Sequence, residues 1–86
     1  MPNRKKAAAL RYNKEKENAP RVVAKGQGKS AQNIIKIAEL HNLPIKKDED
    51  LIELLSKVEL DKEVPEALYK AVAEVFSFIY KVSNKN

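Results

Sequence analysis

Eighty-six residues, 43% hydrophobic and 34% charged, suit one small folded domain and are too few for two. The chain has no cysteine and a single histidine, which excludes disulfides, thiolate metal sites, multi-histidine centres and cysteine nucleophiles. The formal net charge of +5 is uneven: residues 1–30 carry nine Lys/Arg against two acids, and residues 31–86 carry eight against ten.

A basic end on a nearly neutral body suits nucleic acid, an acidic partner or an anionic membrane surface, or simply solvates a flexible terminus. No apolar run approaches the roughly 20 residues of a membrane span, and no secretory signal precedes the first structured segment. The absence of cysteine fits a cytoplasmic protein.

Lys5–Tyr12 is rich in good helix formers, and propensity alone predicts a helix there. Residues 13–20 are polar, lack an apolar period and end at Pro20, the mark of a loop. Arg21-Val22-Val23-Ala24-Lys25 reads as a short buried strand, stopped by Gly26 and Gly28. Ser30 is the expected N-cap of a helix with Ala31, Ile34, Ile35 and Ala38 on its inner face. That helix should stop near His41-Asn42, because Pro44 disfavours helical geometry at Leu43. Leu43–Lys47 is then a short strand or extended segment.

Asp48-Glu49-Asp50 sets acids at the positive end of a second helix, buried through Leu51, Ile52, Leu54, Leu55 and Val58. Pro65 and Glu66 start the last helix. Its stripe of Leu68, Val72, Val75, Ile79 and Val82, widened by Ala71, Phe76 and Tyr80, should supply much of the core, with Val75 at its centre.

Candidate chemistry is thin. Gly26-Gln27-Gly28-Lys29-Ser30 has the ending of a phosphate loop, but Val23 stands where that loop needs its first glycine. A tight turn is the better reading. His41 sits alone at a helix end, and the carboxylate pairs Asp48/Asp50 and Asp61/Glu63 lie in charged runs suited to solvent. Tyr12, Tyr69 and Tyr80 read as core or rim packing rather than base-stacking groups. Nothing here calls for a metal or a cofactor, and no enzyme is expected.

The order of motifs carries a resemblance. Ala9-Leu10-Arg11-Tyr12 is followed by Ala19-Pro20-Arg21-Val22-Val23-Ala24-Lys25-Gly26, then by Ala31 and Ile34-Ile35 opening a helix. Leu43-Pro44, Val64-Pro65-Glu66-Ala67-Leu68-Tyr69 and Ala71-Val72-Ala73-Glu74-Val75 continue it. Together they resemble the C-terminal cytoplasmic domain of the FlhB family, the export-switch proteins of flagellar and injectisome type III secretion. The resemblance covers roughly residues 7–82.

What it implies is an α/β fold: a small mixed β-sheet, about three strands in this chain, flanked by three or four helices. Residues 1–6 become a basic flexible N-terminus, 7–83 a single domain of this type and 84–86 a tail. Residues 7–12 become a strand, against their propensity. The family's self-cleaving Asn-Pro-Thr-His loop would fall on Pro2, Asn3, Arg4 and Lys5 and is absent, so no autocleavage is expected. The chain thus resembles the part after the cleavage site standing alone, whether encoded so or excised. Its segment around Asp48–Leu55 is also more acidic and aliphatic than the family's helix there.

By the same resemblance the chain is a non-enzymatic part of the flagellar export apparatus, acting in export substrate recognition or specificity switching. It would be cytoplasmic and peripheral at the inner face of the export gate. The family's apolar substrate patch maps onto Ala19, Pro20, Ala73 and Phe76. The implied partners are export-gate proteins and early flagellar export substrates, with a strand supplied in trans or by a second copy at the sheet edge. No specific nucleic acid and no direct membrane insertion are expected. The alternative is a small basic nucleic-acid-binding protein using Arg4, Lys5, Lys6, Arg11 and Lys14, which no helix-turn-helix or aromatic RNA-binding motif supports.

Overall fold

The structure is a computed structural model that describes residues 5–13 and 15–83, with side chains described through Phe78. In chain order it runs β1 (Lys6–Arg11), β2 (Arg21–Gln27), α1 (Lys29–Leu40), α2 (Glu49–Leu55), a 3-10 turn (Glu66–Leu68) and α3 (Tyr69–Ser83).

Residues 6–11 are a strand, not the helix their propensity favours. β1 pairs antiparallel with β2, and this pairing outweighs the few tenths of a kcal/mol per residue that propensity offers. Leu10 lies opposite Val22 while Ala9 lies opposite Ala24, so Val23 is an extra residue, a β-bulge. The bulge shifts the phase of β2, and so Val22 and Lys25, three apart, both reach the α2 side: Val22 joins the core there and Lys25 reaches the end of α2.

Val22, Leu51, Leu55, Val58, Val64 and Val72 form the buried core, with Ala8, Leu10, Leu68, Ala71, Val75 and Phe76 packed against it. α2 and α3 therefore cover one face of the sheet. α1 packs against both strands from the other face. There a Cβ on Gly26 would stand 2.6 Å from Ser30 Cβ and 2.9 Å from the Ser30 carbonyl carbon, so glycine is what lets helix and strand meet. β2 accordingly runs through Gly26 instead of stopping there.

The sheet among the described residues has two strands and is antiparallel, not the mixed sheet of about three. Leu43–Lys47 forms no strand. The third chain against the sheet is residues 61–64. Val22 N–H donates to Lys62 O (3.1 Å), Asp61 N–H to Val22 O (2.7 Å) and Val64 N–H to Pro20 O (2.8 Å), with one bridge between Arg21 and Glu63. Asp61 adopts φ 65° to make this turn, a conformation Asp tolerates better than most residues. β2 is thus internal at its start, while β1 is an edge along its length.

The helix ends follow their chemistry. The N-cap of α1 is Gly28 (φ 64°), not Ser30, which lies inside the first turn; no side chain caps this helix. At its other end Asn42 takes φ 57°, and Leu43 N–H returns to Ala38 O, a left-handed termination. α2 begins as its sequence dictates: the Asp48 side chain accepts from Leu51 N–H at 3.0 Å, with Glu49 and Asp50 in the first turn. Leu51 and Leu55 are buried on α2 while Leu54 is exposed, contrary to the broader face expected. Pro65 opens a 3-10 turn before α3, and Val72 rather than Val75 is the fully buried residue of the last stripe. Ile79, Tyr80 and Val82 have side chains outside the described set.

Candidate functional site

An open depression of about 280 Å³ lies between the β1–β2 connection and the start of α3, lined by Tyr12, Asn18, Pro20, Tyr69, Val72, Ala73 and Phe76. Val72 forms its floor as part of the core, Ala73 and Phe76 stand one and four positions along the same helix, and Pro20 faces them from the other chain segment. The Tyr12 and Phe76 rings lie 6.0 Å apart at 50°, a tilted aromatic pair. Tyr12 and Tyr69 are half in solvent. The surface is largely apolar, and no ion pair among the described residues involves the residues that line it.

The wall carrying Tyr12, Asn18 and Pro20 is held by Glu17. Its carboxylate accepts from Arg11 Nη2 at 2.9 Å, Arg21 Nε at 3.1 Å and Asn13 N–H at 2.9 Å, and its side chain is only 8% exposed. Arg21 in turn donates through Nη1 to Asp61 O at 2.8 Å. The Arg11 hydrogen bond, helped by the Asn13 N–H, holds the Glu17 carboxyl below the ordinary glutamate value. Pro20 is fixed from behind, since its carbonyl accepts Val64 N–H.

Of the four expected patch residues, the structure brings Pro20, Ala73 and Phe76 onto one surface. Ala19 does not share it: at 1% exposure it is a core residue beneath. Tyr12, Asn18 and Tyr69 were not expected in the patch. Tyr12 and Tyr69 were readable as rim aromatics, but only tertiary folding carries the end of β1 to α3.

The remaining candidates are structural. Gly28 N–H donates to Lys5 O at 2.7 Å, so the glycine turn spends an amide on the strand ladder that a phosphate loop would present to its ligand. His41 ends α1, its backbone N–H bonded to Ile37 O. Among the described residues no cluster of three His, Cys, Asp or Glu could hold a metal, and no helix is long and apolar enough to cross a membrane. Of the basic residues of the nucleic-acid alternative, Lys6 pairs with Glu53 at 2.6 Å and Arg11 with Glu17, while Arg4 and Lys14 lie outside the described residues. Pro2 to Arg4, where the cleavage motif would fall, lie outside them too.

The model of the FlhB, HrpN, YscU and SpaS family matches residues 4–79. The chain belongs to that family. It is 51% identical over 78 residues to the uncharacterized protein YlqH of Bacillus subtilis, covering 91% of this chain and 84% of that one. The flagellar biosynthetic protein FlhB of Aquifex aeolicus is 46% identical over 85% of this chain, which spans 21% of that relative. The FlhB of Bacillus subtilis is 40% identical, with 92% and 22% covered. The chain therefore spans about a fifth of these FlhB relatives and most of YlqH.

In three dimensions it is similar to the cytoplasmic domain of FlhB from Shewanella putrefaciens, with a TM-score of 0.86 at 30% identity over 91% of this chain and 61% of that one. A mutated EscU C-terminal domain gives 0.85 at 26% identity, covering 90% and 94%. The α/β fold expected from the motifs is the fold of the FlhB-type C-terminal domain.

Proposed function

We propose that this chain is a non-enzymatic component of the flagellar type III export apparatus, acting in export substrate recognition or specificity switching. Family membership supports a role in type III export, and the apolar depression between Pro20 and α3 carries the finer reading. An open hollow of this size, apolar and rimmed by two tyrosines, takes one or two apolar side chains of an extended segment. In this reading Pro20, Ala73 and Phe76 contact the early export substrate, Tyr12 and Tyr69 form the rim, and Ala19 supports Pro20 from the core. The chain acts in the cytoplasm at the inner face of the export gate.

The edge of the sheet supports a second contact with the gate. β2 is flanked on both sides at its start, whereas no backbone hydrogen bond reaches the outer side of β1 from other described residues. Such an edge accepts a further strand, supplied in trans by a longer relative or by a second copy.

The test is genetic. Deleting the gene in its own host and restoring either the wild type or Ala73→Asp should separate the two: both chains accumulate, and only the wild type restores secretion of hook-type subunits. Undiminished secretion in the deletion strain would overturn the reading.

A further inference from the structure

We propose that the outer face of α1 and the segment after it dock on an anionic membrane surface. This stands on that surface alone and does not rest on the export reading. Ile37, Leu40, Leu43 and Ile45 are 54%, 74%, 55% and 38% exposed, four large apolar residues within nine positions. Lys29, Lys36, Lys46 and Lys47 share this stretch, where Glu39 is the lone acid. None of these lysines forms an ion pair among the described residues, whereas Lys6, Arg11 and Arg21 all do. Lys46 Nζ lies 5.4 Å from the centre of the half-exposed Phe78 ring.

Free ammonium groups around exposed aliphatic side chains suit the phosphate and acyl layers of an anionic bilayer, with no spanning helix needed. The rest of the molecule gives this contact a direction. Residues 48–66 carry eight acids against Lys57 and Lys62, and their exposed Leu54 and Leu60 sit among those acids. α2 lies across the sheet from α1, so the same bilayer that attracts one face repels the other.

The chain has no tryptophan, so Leu40→Trp provides a single reporter. Its emission should shift to the blue, and the protein should sediment, with phosphatidylcholine vesicles containing phosphatidylglycerol but not with phosphatidylcholine alone. High salt should release it. Leu40→Asp should keep the wild-type thermal midpoint and lose vesicle binding. Lys47→Glu should weaken binding roughly tenfold or more, and Lys57→Glu, with the same change in net charge, by less than about threefold. Absence of binding, or equal loss in the two lysine variants, would overturn the proposal. So would a blue shift that needs no lipid and grows with protein concentration, which would assign the face to a second copy.

Discussion

The two faces of the sheet are built by different means. Toward α2 and α3 the sheet contributes Val22, with Leu10 and Ala8 beside it, to a continuous apolar core. Toward α1 it offers the alternate positions, Ala7, Ala9 and Gly26, and α1 fully buries only Ala31. One face gains from apolar volume removed from water, the other from close backbone approach. Stability is therefore concentrated between β2, α2 and α3, and α3 also forms the floor and one wall of the depression. The outer side of α1 carries little of the fold, and its surface is left free for contacts.

That contrast predicts a graded series. The largest effect should come from Val72→Asp, which puts an unpaired carboxylate into the core at a cost of several kcal/mol, about half or more of the stability of a domain this size. Chemical denaturation should find it unfolded or nearly so, and Val75→Asp, at a half-buried site, less affected. Equal midpoints for Val72→Asp and wild type would show that the core has been misplaced. Gly26→Ala should cost about 1–3 kcal/mol, because α1 must back away from the strand. A cost-free Gly26→Ala would remove the close approach on which the contrast depends. Asp48→Ala should cost about 1 kcal/mol through loss of the cap on α2, with the drop visible in thermal melts.

Acid should act on the polar ties at the sheet ends. The Arg11 hydrogen bond lowers the Glu17 carboxyl, and the Lys6 hydrogen bond lowers that of Glu53, from an ordinary value of 4.5. A lowered folded-state value means stability that is fully present above the unfolded value and lost as pH falls through the folded one. Melts from pH 7 downward should therefore stay level to about pH 5 and then decline. Glu17→Gln should make that decline shallower, and an acid limb unchanged in this variant would show that the Glu17 tie contributes nothing.

Legibility in the sequence followed the same division. α2 was readable because its local signals agree: Asp48 caps it, acids fill its first turn, and Leu51 and Leu55 recur at helical spacing. β1 was not readable from its residues, since Lys-Ala-Ala-Ala-Leu-Arg favours a helix and only pairing with β2 makes it a strand. The order of motifs supplied what propensity lacked. Residues 61–64 take the place beside β2 through backbone bonds that leave no side-chain pattern, whereas Leu43–Lys47 was the more apolar candidate. Three of the four residues that the resemblance assigns to the patch line the depression, whereas Ala19 is buried, because a resemblance carries positions over without telling the buried member of an Ala-Pro pair from the exposed one.

The most direct test of the account is an amide NMR titration of the isotope-labelled chain with a hook-type export subunit. The account predicts saturable shifts concentrated at Tyr12, Asn18, Tyr69, Ala73 and Phe76, and weaker binding by Ala73→Asp with its thermal midpoint retained. Shifts absent from those residues, or confined to the outer face of α1, would contradict it.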